Sequence, residues 1–372
     1  MEELKEGWRK VKLGEIANLK YGKMPKKDKI KENGYPIFSG YRITGYYDEY
    51  MLEEEEIIVV ARGVGGTGDV KISPPKSFIT NLSIILLLKN DINKKFLYYL
   101  LKNKNLRILD SGSAQSQITI NDLKEYEIFL PNLKLQDKIA SVLATLDEKI
   151  ELNRKINQNL EEICQKYFVE IFIKNSNKNC SIGQISDLGN IVSGATPSKK
   201  NQKYYTNFGI PWITPKDLSK ISNKFISRGN LDITELGFKN SSVRLLPKGS
   251  VLFSSRAPIG YIAICSNDVT TNQGFKSIVP FKNIGTEFVY YFLKNNVQFL
   301  ESRASGSTFK EISTTIMATT PAIIPKEEPL KVFKKICVNI FEKQYIIEKE
   351  TEKLIELRDY LLPRLMSGEI SV

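Results

Sequence analysis

The first half of the chain places lysine, arginine, hydroxyl and amide side chains on predicted loops and turns. These positions are Lys20, Lys23, Lys26, Lys27, Arg42, Thr44, Arg62, Ser113, Gln115 and Gln117. The second half repeats this chemistry at Thr196, Lys199, Lys200, Lys216, Arg256, Ser307, Thr308 and Lys310. Lysine, arginine and hydroxyl groups bind phosphates, and arginine, glutamine and threonine also hydrogen-bond to base edges. Both sets are therefore candidate contacts to nucleic acid.

The sequence supports these candidates unequally. Lysine-rich loops are common on solvated surfaces, so hydration explains residues such as Lys23 as well as phosphate contact does. Arg62 and Arg256 each end a β-rich run, where a structural role is favoured over base contact. The Gly-Ser turns near Ser113 and Ser307 are the better candidates, because no core requires amides and hydroxyls at such a tip.

The positive charge is unevenly distributed. The net charge is +12, and residues 180–325 contain 16 Lys/Arg against 8 Asp/Glu, whereas residues 1–131 contain 21 against 18. A basic surface favours a polyanionic partner such as nucleic acid. On charge alone, basicity that serves only solubility explains the excess equally well.

Catalytic and metal-binding motifs are missing from the sequence. The chain has no histidine, and its four cysteines form no CxxC pair, which excludes the usual zinc site and histidine-based acid–base chemistry. SPPK (73–76) lacks the aromatic residue of a DNA methyltransferase motif, and RGVGGTG (62–68) lacks the GK[ST] of a phosphate loop. We therefore predict no catalytic activity, no bound metal and no cofactor.

Two features bear on location. The N-terminus is charged and unlike a signal peptide, and the scattered cysteines are typical of a reducing cytoplasm. The longest apolar run lies near FITNLSIILLLKN (78–90), about half of the roughly 20 residues that a membrane span needs. We predict a buried strand there, a cytoplasmic location and no membrane association.

Matching segments recur in constant order along the chain. FLYYLLKN (96–103) corresponds to FVYYFLKN (288–295), and SGSAQSQI (111–118) corresponds to SGSTFKEI (305–312). Arg62 and Arg256 lie 194 positions apart, as do the two Gly-Ser segments. The pattern indicates a tandem duplication with a period far too long for a solenoid.

Each copy combines short β-rich runs with one amphipathic helix and then a long helical segment. We predict an α+β (mixed α/β) fold with two similar globular domains, 1–131 and 179–325, and two long helices, 132–178 and 326–372. The paired tyrosines of the amphipathic helices are expected to pack in the core rather than stack on bases. They are Tyr98, Tyr99, Tyr290 and Tyr291.

Both long segments have a seven-residue apolar repeat. In the first it falls on Ile139, Leu146, Asn153, Leu160 and Tyr167. In the second it falls on Phe333, Ile340, Ile347, Leu354 and Leu361. Such periodicity is typical of coiled coils, so we expect the two helices, each roughly 55–60 Å long, to pair antiparallel as a pseudo-twofold repeat. Asn153 interrupts the seam and is interpreted as a register device.

The chain resembles the specificity (S) subunit of type I restriction–modification systems over essentially its whole length. The matching phrases are WRKVKLGEI (8–16), LQDKIASVLATLDEKI (135–150), SRAPIGYIAI (255–264), GFKSIVP (274–280) and LRDYLLPRLMSGEI (357–370). The first copy has ARGVGGTGDV in place of RAPIG, and the second has GSTFKEI where a Gln and an Ile are expected. These differences lie in the parts that vary with the DNA target.

The resemblance implies that each globular domain reads one half of a bipartite double-stranded DNA site. The helices would act as a ruler between the half-sites and dock methyltransferase subunits, two of them being expected, and restriction/translocase subunits would join that core. S-adenosylmethionine, ATP and Mg would then belong to the partners. The alternative from another class is a coiled-coil scaffold with two binding globules and no role on DNA.

Overall fold

The computed structural model describes residues 7–40, 42–63, 66–89, 91–111, 116–220, 223–306 and 310–372. The chain divides into two units. The first comprises Met1–Glu151 and Lys353–Val372, and the second comprises Leu152–Glu352. Within the described residues, no helix is long and apolar enough to cross a membrane.

The described residues of the first unit form nine strands and three short helices. The strands are β1 (Trp8–Lys12), β2 (Ala17–Tyr21), β3 (Tyr35–Ser39), β4 (Arg42–Tyr47), β5 (Ile57–Val60), β6 (Val70–Ile72), β7 (Phe78–Ile79), β8 (Ser83–Leu88) and β9 (Glu127–Pro131). The helices are α1 (Leu13–Ile16), α2 (Lys94–Lys102) and α3 (Ile120–Glu125). The long helix α4 (Leu133–Phe168) starts in this unit and continues as a π-helical segment, Val169–Lys174.

The sheets of the first unit have the orders β2-β8-β5-β6, β4-β3-β7 and β1-β9. All four residues of β5 are buried, because this strand lies between β8 and β6 inside the unit. The apolar run that the sequence marks as a buried strand forms β8, whose first four residues are buried. Helix α2 packs on this core through Phe96, Leu97 and Leu100.

In the part of the second unit that the structure describes, there are eleven strands and six short helices. Its strands are β10 (Cys180–Gln184), β11 (Gly189–Ser193), β12 (Tyr205–Thr206), β13 (Ile210–Ile213), β14 (Phe225–Ile226), β15 (Leu231–Ile233), β16 (Val251–Ser255), β17 (Ile259–Cys265), β18 (Thr270–Thr271), β19 (Lys276–Pro280) and β20 (Pro321–Pro325). Its helices are α5 (Ser176–Asn179), α6 (Pro215–Leu218), α7 (Glu235–Lys239), α8 (Thr286–Asn295), α9 (Val297–Ser302), α10 (Thr314–Thr319) and the start of the long helix α11 (Glu327–Met366).

The two units share one sheet topology. The orders β11-β19-β16-β17-β14, β12-β15-β13-β18 and β10-β20 repeat those of the first unit with β12 and β14 added at edges. The parallel pairing of β3 with β7 is repeated too, since β13 pairs with β18 in the same direction. The duplication inferred from sequence is therefore also a duplication of fold.

The long helices run antiparallel within each unit. In the second unit, Phe168 contacts Phe333 with ring centroids 5.8 Å apart, and Asn153 Nδ2 donates to Glu350 Oε2 at 2.7 Å. In the first unit, Arg358 Nη1 donates to Asp147 Oδ1 at 2.9 Å. In these contacts, residues of α4 with lower numbers meet residues of α11 with higher numbers. This confirms the antiparallel arrangement and the predicted fold class.

The residues of the expected helix seam differ in burial, and the buried stripe shifts by one residue near the end of α4. Ile139, Asn153 and Ile347 are buried, and the other five proposed packing residues, Leu146, Leu160, Ile340, Leu354 and Leu361, are half-buried. Tyr167 is exposed, and its neighbour Phe168 is buried instead. A helix of 3.6 residues per turn drifts from a strict seven-residue repeat, so the buried stripe has moved by one residue there.

Candidate nucleic-acid interface

The loop that follows β2 in the first unit and the loop that follows β11 in the second are held in the same way. Lys23 N donates to Ile79 O, and Ala195 N donates to Thr271 O, both at 2.9 Å. A Cβ on Gly22 or on Gly194 would overlap the backbone of the neighbouring turn. The glycines thus let each loop start close against the segment that follows β7 or β18.

These loops display their polar residues to solvent. The exposed lysines are Lys23, Lys26, Lys27, Lys199 and Lys200 in the loops, together with Lys20 on β2. In the second unit two aromatic side chains hold the loop by hydrogen bonds to its backbone. Tyr205 OH donates to Pro197 O at 2.6 Å, and Trp212 Nε1 donates to Ala195 O at 3.0 Å. Thr196 is half-buried and hydrogen-bonds to Gln273.

The next candidates lie on regular elements. Arg42 and Thr44 are exposed on β4, an edge strand of its sheet. Lys216 is exposed on α6, which is capped by Thr214 and Asp217. Strands and capped helices hold their side chains more firmly than loops do, so these three residues have defined directions.

Arg62 and Gln117 are brought together in the first unit. They form an isolated antiparallel bridge, and the Arg62 guanidinium lies 6.0 Å from the centre of the Tyr21 ring. Gln117 N donates to Asp110 Oδ1 at 2.8 Å, and Ser116 also donates to this carboxylate. Ser113 and Gln115 lie outside the described residues.

Arg256 and Glu311 form the corresponding bridge in the second unit. The Arg256 guanidinium lies 3.5 Å from Glu311 Oε2, and Lys276 Nζ lies 3.4 Å from Glu311 Oε1. Lys310 beside them is exposed, and Ser307 and Thr308 lie outside the described residues. The same bridge therefore presents an amide in the first unit and a paired carboxylate in the second.

Comparison with known proteins identifies the family. The sequence profile of the type I restriction modification DNA specificity domain matches residues 5–162 and again residues 177–357. The chain belongs to the type I DNA specificity subunit family. The repeated match also agrees with the duplicated sheet topology.

Two curated relatives bear specificity-subunit names. The MjaIX specificity subunit of Methanocaldococcus jannaschii is 39% identical over 191 residues, which are 49% of this chain and 44% of that protein. The HindI specificity subunit of Haemophilus influenzae is 27% identical over 329 residues, which are 68% of this chain and 71% of that protein. The chain thus spans less than half of the first relative and about seven-tenths of the second.

A solved structure shares the fold. The crystal structure of the S subunit of a type I restriction–modification system from M. genitalium superposes with a TM-score of 0.73 at 21% identity. The match covers 98% of this chain and 97% of that one. The likeness establishes the specificity-subunit fold over nearly the whole chain.

The sequence did not predict the role of Lys224, which connects the globular part of the second unit to both long helices. Lys224, only 5% exposed, lies in the loop before β14 and forms an ion pair with Glu161 of α4. Its ammonium donates to Gln344 Oε1 at 2.6 Å and to Tyr291 OH at 3.2 Å, and it lies 3.9 Å from the Phe341 ring centre. No local pattern distinguishes this lysine from the surface lysines of the sequence.

Burial and charge shift several pKa values in this cluster. Burial lowers the pKa of Lys224. Burial alone would raise the pKa of Glu161, but Lys224 and Lys294 bring it below its ordinary value. Burial raises the pKa of Glu348 to about 7, although its carboxylate accepts Lys224 N at 2.8 Å and Phe225 N at 3.1 Å.

The first unit has a different anchor at the corresponding helix. Tyr99 OH donates to Asp147 Oδ2 at 2.7 Å, and the other oxygen of Asp147 accepts from Arg358. Burial, followed by the hydrogen bond to Asp147, raises the pKa of Tyr99. Tyr99, Tyr290 and Tyr291 are buried and Tyr98 is half-buried, so these tyrosines pack inside the units as expected.

Proposed function

We propose that each unit of this specificity subunit reads one half of a bipartite double-stranded DNA sequence. One observation carries the proposal: the two units share a sheet topology but have different residues at matching positions. For example, the first unit has Gln117 where the second has Glu311. Two half-sites of different sequence require such a repeat. The basic residues of the loops supply phosphate contacts, and the bridge residues with the adjacent Gly-Ser turns supply base contacts.

The long helices dock the methyltransferase subunits and set the gap between the half-sites. Support comes from large apolar side chains that remain exposed on α4 and α11. They are Leu133, Leu152, Ile163 and Tyr167 on α4, and Val332, Val338, Ile346, Leu357 and Tyr360 on α11. Apolar side chains that lie together on an exposed surface mark protein interfaces.

The assembly that fits this surface has two methyltransferase subunits, one for each copy of the repeat, with restriction/translocase subunits joined to that core. The specificity subunit itself performs no chemistry. S-adenosylmethionine, ATP and Mg act in the partner subunits. A scaffold with no role on DNA is disfavoured, because the chain belongs to a DNA specificity family.

Selection of DNA from a random library tests the proposal. The chain is co-purified with the methyltransferase encoded beside it, and bound DNA is sequenced at two salt concentrations, because phosphate-driven binding falls steeply with salt. Two short motifs at one fixed gap are the expected result. Loss of all binding at moderate salt, or the absence of an enriched motif, would contradict the proposal and favour a basic scaffold that does not read DNA.

Shortening both helices tests the ruler. Deletion of residues 148–154 and 350–356 keeps the contacts of Asp147 with Arg358 and of Asn157 with Gln344. One heptad is about 10 Å of helix, close to the rise of about three base pairs. The same selection should return the same two motifs at a shorter gap. A change in the motifs with the gap unaltered would contradict the ruler.

A further inference from the structure

A cleft in the first unit gathers positive charge. It has a volume of about 350 Å³ and lies between residues 67–71, which lead into β6 and form its start, and the segment at residues 101–107. Its charged lining residues are Lys71, Lys102, Lys104, Arg107 and Asp69. Among the described lining residues Asp69 is the only acid, and its carboxylate lies 3.9 Å from the Lys71 ammonium. The other three cations give the cleft a net positive charge.

The walls of the cleft are held in place. Gly68 has φ of +90°, and a Cβ at this position would lie 2.8 Å from Arg107 N, so only glycine lets the loop approach the opposite wall. Thr67 Oγ1 donates to Gly63 O at 3.0 Å. The Lys102 ammonium lies 5.2 Å from the centre of the Tyr98 ring. A site with fixed walls can bind a ligand without a large ordering penalty.

The second unit lacks these charges at the matching positions. With the YY helices aligned, Lys104 corresponds to Asn296 and Arg107 corresponds to Phe299. Lys102 corresponds to Lys294, which forms an ion pair with Glu161. The cationic cleft is therefore found in the first copy and not in the second. This is so although the first copy has the smaller excess of Lys/Arg over Asp/Glu.

The cleft shares its supporting segments with the candidate base-reading bridge. Thr67, the first lining residue of one wall, follows Arg62 by five positions in the sequence. The other wall ends at Arg107, three residues before Asp110, whose carboxylate accepts Gln117 N at 2.8 Å. A ligand in the cleft would thus lie beside the segments that present Arg62 and Gln117.

We propose that this cleft binds a phosphate group, and that in the assembled complex this group is a DNA phosphodiester adjoining the half-site read by the first unit. The assignment to DNA rests on the proposed function. Several cationic donors facing one space suit the oxygens of a phosphate, and arginine can bind two of them at once. Such a contact positions the unit on the duplex and carries no sequence information.

Salt dependence of DNA binding by the complex with methyltransferase tests the DNA assignment. The variants are Lys102→Gln and Arg107→Gln, both at exposed positions, and Lys134→Gln on the exposed start of α4 is the control with the same charge change. Each cleft variant should reduce the slope of log Kd against log salt by about one, with the selected motifs unchanged. Lys134→Gln should leave the slope as in the wild type.

Two results would overturn the proposal on DNA. In the first, both cleft variants have the same slope of log Kd against log salt as Lys134→Gln. This result would show that the cleft binds no phosphodiester. A changed base preference in the first motif would show that the cleft reads bases instead of a phosphate. A wild-type complex that selects no bipartite motif would instead contradict the proposed function.

Calorimetric titration with inorganic phosphate separates the two sources of the ligand. Binding that is lost in Arg107→Gln and kept in Lys134→Gln, together with altered DNA slopes, supports the proposal. The same phosphate binding with unaltered DNA slopes assigns the cleft to a free phosphate and overturns the DNA source. This titration needs no DNA, so it decides the phosphate site even if the proposed function fails.

Discussion

The two units join their globular parts to the long helices by different chemistry. In the first unit, Tyr99 and Arg358 share the two oxygens of Asp147. In the second, Lys224 of the globular part lies in a buried cluster with Glu161, and Glu348 accepts hydrogen bonds from the backbone N–H groups of Lys224 and Phe225. The repeat has kept the tyrosine helix and changed the charged partners. A buried charge makes the second unit more sensitive to charge removal and to pH.

The largest expected effect is that of Lys224→Met. The change leaves Glu161 with one cation fewer and Gln344 Oε1 without its donor, and breaking a buried ion pair costs about 3–5 kcal/mol. Chemical unfolding should therefore show a loss of about 3 kcal/mol in the second unit. Trp8 and Trp212, the two tryptophans, lie in different units, so a Trp8→Phe background leaves Trp212 as the reporter.

Lys294→Met is the matched control for Lys224. It removes the other cation that pairs with Glu161, but its side chain is 40% exposed, so the loss should stay below about 1 kcal/mol. Equal losses in the two variants would contradict the distinction between a buried and a solvent-screened partner.

A pH effect of intermediate size should come from Glu348. Its pKa is raised from 4.5 to about 7 in the folded state because of burial, so folding favours the protonated carboxyl. Its contribution to stability is fully present below pH 4.5 and is lost as the pH rises towards 7, by about 2–3 kcal/mol. The Trp212 transition should show this slope, and Glu348→Gln should abolish it. A slope that persists in Glu348→Gln would assign the titration to another group.

Apart from the Lys294 control, the smallest effect is expected from Arg358→Met in the first unit. The Arg358 and Asp147 side chains are 20% and 29% exposed, so solvent screens the pair, and Tyr99 still donates to Asp147. We expect a loss of about 1 kcal/mol, read from Trp8 in a Trp212→Phe background. A loss as large as that of Lys224→Met would remove the difference between the two anchors.

The sequence was informative where a feature repeats. The duplicated YY segments, the heptads and the continuous run of β8 all predict elements that the structure contains, because periodicity and burial act over many residues. The end of the α4 seam was wrong, since Phe168 replaces Tyr167 in the buried stripe. The drift of a 3.6-residue helix from a strict seven-residue repeat accumulates over several heptads, so a fixed register could not follow it.

Single long-range contacts could not be predicted. The partners of Lys224 lie more than 60 positions away in either direction, and its loop has no repeat in the first copy. The bridges of Arg62 with Gln117 and of Arg256 with Glu311 were not foreseen as pairs, although both pairs fell among matching segments. The repeat therefore identified matching positions but not what they contact.

Exchange of the candidate reading residues in one unit at a time tests the central claim most directly. DNA selection would be repeated on the methyltransferase complex with Gln115→Ala and Gln117→Ala together, and separately with Thr308→Ala and Lys310→Ala together. Each double variant should weaken or alter one motif, a different one in each case, and leave the gap unchanged. Equal loss of both motifs in either variant would contradict two independent readers.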